Sequence, residues 1–129
     1  MNAQRNELEH LKVLTSNLDW AKLLESVEGD QEFLRSLLLI FQTDIRATMH
    51  QADEAIQNND ANHLARAAHT AKGMLRNLSM ERAAAAGAAL EQAGLQGDLP
   101  KARALLLELK ALLEAVRPEV EARLAQVER

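Results

Sequence analysis

The sequence predicts an all-α protein, an antiparallel up-down four-helix bundle preceded by one or two short N-terminal helices. Three observations predict it. The chain is 47% hydrophobic, but only 2% aromatic, and leucine and alanine dominate with just two prolines; this is helix-forming rather than sheet-forming composition. Apolar residues recur at i, i+3, i+4, i+7 spacing over long stretches. The breaks between those stretches are short, and short loops make neighbouring helices antiparallel. At 129 residues the chain fits one domain.

Residues 7–14 read as a short amphipathic helix with Leu8, Leu11 and Leu14 on one side, and Thr15-Ser16-Asn17 as a break rich in capping residues. Asp19 caps a second short helix through about Val27, ended by Gly29. Asp30 then caps a long helix over 31–58. Its stripe is Leu34, Leu37, Leu38, Phe41, Ile45, Met49, Ala52 and Ile56. Leu39 and Ile40 lie off that stripe and either receive the N-terminal helices or form an exposed docking patch. Asn58-Asn59 ends this helix, since asparagine tolerates left-handed backbone.

Asp60 caps the next segment, 61–78, with Leu64, Ala67, Ala68, Ala71, Leu75 and Leu78 on its apolar face. Ser79 is expected to cap a helix over about 80–95, with Glu81 in its first turn. The alanine run 83–89, interrupted by Gly87, reads as a surface that lets another helix come close. Gly94, Gly97 and Asp98 are expected to make the last turn. Asp98 caps the final helix, with Pro100 tolerated in its first turn. Leu105, Leu109, Leu112 and Val116 form its expected stripe, with Leu106 and Leu113 beside it. Pro118 is expected to kink or end that helix, and 119–128 to continue as a charged, solvated tail. The expected division is a helical extension over 1–17, the bundle over 18–117 and the tail over 118–129.

Composition excludes several function classes. The chain has no cysteine, which removes disulfide frameworks and zinc–thiolate sites. No apolar run approaches the roughly 18 residues of a membrane span. The polar start Met1–Glu7 lacks the apolar core of a signal peptide, so a cytoplasmic protein without membrane insertion is expected. A net charge of −4 argues against nucleic acid as a partner.

The chemistry concentrates in Ala67-Ala68-His69-Thr70-Ala71-Lys72-Gly73. With Leu64 set at zero on a helical wheel, the apolar residues fall within about 60° of it. His69 falls near about 140°, Gly73 about 180°, Arg66 about 200°, Arg76 about 120° and Lys72 about 80°. His69 therefore faces outward, with Lys72 and Arg76 within reach. A lone outward histidine is usually just solvated. An outward glycine in mid-helix, however, costs roughly 1 kcal/mol against alanine unless something must approach the backbone there. The triplet suits phosphoryl transfer. Imidazole, with an ordinary pKa near about 6.5, is a nucleophile at neutral pH. Lys72 offers a cation for phosphoryl oxygens, and Gly73 clears space for a partner. The local basic face also complements an acidic partner site despite the negative total charge.

Ala68-His69-Thr70-Ala71-Lys72-Gly73, then Asn77-Leu78 and Ala89-Leu90-Glu91-Gln92-Ala93, resembles the histidine-containing phosphotransfer (HPt) domain, with its A-H-x-L-K-G core and later L-E-x-A. Leu18-Asp19, Gly29-Asp30-x-Glu32-Phe33-Leu34, Phe41 and Gly97-Asp98-Leu99 fit as well, so the resemblance runs over about 18–115. It implies a four-helix bundle with an exposed phosphoaccepting histidine, His69, supported by Lys72 and cleared by Gly73, with Arg66 and Arg76 on the partner-binding face. It implies a phosphocarrier of a His-Asp phosphorelay, not an enzyme, with response-regulator receiver domains and a hybrid sensor kinase as partners. No cofactor is expected in the chain itself; Mg²⁺ belongs to the receiver. A monomer is expected, and the polar start favours a free-standing relay protein over a segment of a hybrid kinase. The sequence departs from the family pattern at Ala71, where leucine is usual, at Met74-Leu75-Arg76, where small residues are usual, and at Ser79-Met80, where Gly-Ala is usual.

Two other readings compete. A structural adaptor bundle would bind receivers without chemistry at His69. A metal site would have to draw on His10, His50, His63 and His69. His63 and His69 diverge by about 120° on the wheel, and no Glu-x-x-His pair of the di-metal bundle type is present.

Overall fold

The computed structural model describes residues 18–127; the expected helix over 7–14, the break at 15–17 and His10 lie outside the described residues. Five helices follow one another: α1 (Trp20–Ser26), α2 (Gln31–Gln57), α3 (Ala61–Asn77), α4 (Glu81–Leu95) and α5 (Leu99–Val127), with no strand among the described residues. Each of α2 to α5 packs on the next, and α2 also packs on α5, so the four long helices close a ring around one core. The expected four-helix bundle is the fold.

Aspartates start four of the helices. Asp19, Asp30, Asp60 and Asp98 accept from the backbone N–H of Lys22, Phe33, His63 and Lys101 at 3.0 to 3.1 Å, each worth about 1 kcal/mol against alanine. All four turns close alike. Glu28, Asn59, Ser79 and Gly97 adopt left-handed backbone, with φ of 55°, 54°, 57° and 71°. The next residue then donates its N–H to the carbonyl five before it: Gly29 to Leu24, Asp60 to Ala55, Met80 to Leu75 and Asp98 to Ala93. This satisfies carbonyls that the helix end would leave orphaned.

That closure corrects one expectation. Ser79 does not cap α4; it is the buried left-handed residue that ends the α3 turn. Met80 stands at the N-cap position with no side-chain hydrogen bond. Met80 is itself fully buried, so packing anchors the start of α4 where a polar cap starts the others.

Two further corrections concern α4 and α5. Gly94 is not part of the last turn but lies inside α4. A Cβ there would sit 2.9 Å from the Ala65 backbone N and 3.1 Å from the Ala61 carbonyl. A Cβ on Gly87 would meet the Lys72 Cα at 3.4 Å. The α4 backbone thus rests on α3 at two points. In α5 the buried stripe is rotated from the expected one: Ala102, Leu106, Leu109, Val116, Val120 and Leu124 are buried, while Leu105, Leu112 and Leu113 only flank the core.

Helix α5 continues through Pro118 instead of ending there. Proline removes one N–H, whose partner would be the Glu114 carbonyl. Pro118 is exposed, so water can reach that carbonyl. Arg117 bonds Glu114 and Glu121 across the same stretch, and Val120 and Leu124 are drawn into the core. The segment beyond Pro118 is therefore packed rather than solvated; Arg123 lies 4.8 Å over the ring of Trp20 in α1. No helix among the described residues is long and apolar enough to cross a membrane.

Candidate functional site

His69 lies at mid-length on α3, whose buried face is Leu64, Ala65, Ala67, Ala68, Ala71 and Leu75. Its imidazole points outward, with 68% of the side chain exposed. Lys72, one turn on, sits lower: its side chain is only 18% exposed. Gly73 is exposed, and a Cβ there would meet nothing within 4 Å. No contact among the described residues requires that glycine. Arg66 and Arg76 are exposed on the same helix.

What joins His69 to Lys72 is a residue on the neighbouring helix. Glu91 of α4 places one carboxylate oxygen 2.8 Å from His69 Nδ1 and the other 2.6 Å from Lys72 Nζ. Sequence reasoning missed it as a site residue, although it quoted Leu90-Glu91 as part of the motif. The two contacts are possible because Gly87 and Gly94, about one turn to either side, let α4 settle on α3. The signal in the sequence was that pair of glycines bracketing a lone acid.

The electrostatics follow from the contacts. The ammonium of Lys72, bonded to Glu91, holds its carboxyl below the ordinary value of 4.5; partial burial opposes this, and the bond to His69 adds to it. The carboxylate is therefore ionised at neutral pH and can only accept. It selects the tautomer in which His69 carries its proton on Nδ1. The lone pair is then on Nε2. Lys72 is engaged by Glu91, not projected beside the outer nitrogen, so the expected direct grip on phosphoryl oxygens is not its resting position.

The surroundings are basic and open. Helix α3 carries Arg66, Lys72 and Arg76 and no carboxylate at all. A shallow depression between α3 and α4 contains His69 and is walled by Asn62, Arg66, Thr70, Glu91 and Leu95. A larger groove, of about 580 Å³, lies between α2 and α5 and contains none of the expected site residues. The other described histidines stand apart: His50 pairs with Glu54 at 3.1 Å on α2, and His63 is in the first turn of α3. Among the described residues no group of three or more His, Cys, Asp or Glu is placed to share a metal ion.

A family model described as Hpt domain matches residues 36–119, which include every residue of this site. No curated protein matches the chain, and no solved structure does. A four-helix bundle and a family match over most of its length agree: the chain belongs to the Hpt domain family, whose members are phosphocarrier modules of histidine phosphotransfer in phosphorelay signalling.

Proposed function

We propose that this chain is the phosphohistidine intermediate of a His-Asp phosphorelay in the cytoplasm. It takes a phosphoryl group onto His69 from the aspartyl phosphate of one receiver domain, or from a sensor kinase, and gives it to the aspartate of another receiver. The observation that carries the reading is Glu91 bridging His69 Nδ1 and Lys72 Nζ at 2.8 and 2.6 Å.

In the forward step the Nε2 lone pair attacks phosphorus. The N–P bond forms, the P–O bond to the aspartyl carboxylate breaks, and its electron pair leaves with that carboxylate. No proton moves. The ring becomes cationic with its proton still on Nδ1, donated to Glu91, so the developing charge meets a fixed anion. In the reverse step the cationic ring is a good leaving group, which suits a carrier that must pass its cargo on. Lys72 acts through Glu91, fixing the carboxylate that orients the imidazole. Gly73 leaves the backbone uncovered for the partner's loops, and Arg66 and Arg76 attract its acidic site. The chain contributes no cofactor and no metal ligand to this scheme; the Mg²⁺ is the receiver's.

The test is labelling. Incubated with a radiolabelled phospho-receiver, the protein is expected to take up an acid-labile, alkali-stable label, and His69→Gln to take up none. Equal labelling of His69→Gln would leave a receiver-binding adaptor as the better reading.

A further inference from the structure

We infer that Leu95 is the apolar contact by which a receiver domain seats beside His69, and that it sets affinity for that partner rather than the rate of the transfer step. The inference rests on the phosphotransfer reading and names a part of the docking surface which that reading leaves open.

Among the described residues five large apolar side chains are exposed: Phe33, Leu39, Ile40, Leu95 and Leu107. Leu95, at 61% exposure, is the one that walls the depression holding His69. It is the last residue of α4, four residues beyond Glu91 and so on the same face, about 6 Å further along the axis. The other large or neighbouring apolar residues of this turn, Leu90 and Ala93, go to the core. Gly94 beside it lies against the Ala65 backbone, so the leucine stands next to a close approach of α4 to α3.

The chemistry of the occupant follows from the two walls. On the α3 side the depression offers Arg66 within a helix that has no carboxylate. On the α4 side it offers Glu91, whose charge is taken up by Lys72 and His69, and a single large apolar side chain, Leu95. The matching surface is an acidic pocket bordered by an apolar side chain, which is the chemistry of a protein presenting a phosphorylated carboxylate. A second copy of this chain would bring another carboxylate-free α3 against the first, and like charges oppose that pairing.

The experiment uses the full chain and the receiver domain of the host that exchanges phosphoryl groups with it fastest. Leu95→Asp is expected to raise KM for the phospho-receiver, and Kd for the same receiver loaded with Mg²⁺ and beryllofluoride, about tenfold or more. kcat, the phosphohistidine half-life and the melting temperature are expected to stay near wild type, and Leu95→Met to restore KM. Wild-type KM in Leu95→Asp, or a fall in kcat alone, overturns the inference while leaving phosphotransfer standing. A change confined to self-association, read by sedimentation, assigns Leu95 to a second copy and overturns it as well. Failure of every receiver to bind or label the wild-type protein overturns both this inference and the reading beneath it.

Discussion

The α3–α4 pair and the α2–α5 pair are built from the same kind of helix, yet they meet in opposite ways. Between α3 and α4 the contact is backbone on backbone, at Gly94 against Ala61 and Ala65 and at Gly87 against Lys72. Between α2 and α5 large side chains, among them Phe41, Ile45, Met49 and Val116, keep the helices apart and leave a groove of about 580 Å³. A salt bridge from Lys110 to Asp53, 2.6 Å long, also joins the two helices. The lesson is where precision is needed. Two hydrogen bonds across a helix pair tolerate errors of a few tenths of an ångström, and interlocked backbones supply that. A seam held mainly by apolar packing can be looser because burial has no direction.

Substitution at Gly94 should break this contrast most severely. Gly94→Val places a side chain within 2.9 Å of the Ala65 backbone N, which cannot rotate away. A loss of about 3 kcal/mol or more in urea unfolding is expected, at the upper end of overpacking costs, together with loss of labelling at His69. Met49→Leu on the α2–α5 side is expected to cost less than about 1.5 kcal/mol and to leave labelling intact. Equal costs would erase the distinction between the two seams.

Next in size is Glu91→Gln, which keeps the shape and removes the charge. Transfer to and from His69 should slow about ten- to hundredfold, the size seen when a carboxylate that orients a metal-binding imidazole is removed, and Lys72→Ala should slow it less. The same change has a stability signature. A carboxyl whose folded value lies below its ordinary 4.5 contributes stability that is whole above that pH and is lost as the pH falls through the lower folded value. Urea midpoints of wild type should therefore fall across that acid window more steeply than those of Glu91→Gln. Parallel curves would mean that Glu91 is not held by Lys72 in solution.

The smallest expected effect on the fold is at Gly73, and it should go the other way. Nothing among the described residues fills the space there, so Gly73→Gln should gain about 0.5 kcal/mol from helix propensity. Transfer should nonetheless slow several-fold. A variant that is more stable and equally fast would make Gly73 an ordinary helix residue.

Much of the fold was legible because it is written locally. Asp30, Asp60 and Asp98 cap helices where their spacing places them, and the 3.6-residue period puts His69 outside and Ala68 inside. What was not legible depends on distance between helices. A wheel drawn for one helix contains no neighbour, so it located Lys72 beside His69 but not the carboxylate that binds both. Ser79 misled for a related reason. Serine favours N-caps, but here the closing turn of α3 required a left-handed residue and claimed that position first. Pro118 does not end α5, and the segment beyond it is packed, because the cost of one lost hydrogen bond is local, whereas the burial of Val120 and Leu124 that outweighs it is tertiary.

The absence of any carboxylate from α3 has a consequence for ionic strength. At physiological salt the Debye length is about 8 Å, so an approaching protein feels the helix beneath it and not the sum over the chain. Two acidic molecules by total charge would then meet more slowly, not more quickly, as salt is added, because what is being screened at the point of contact is attraction. The sign of that dependence would report which face the partner uses before any residue is changed.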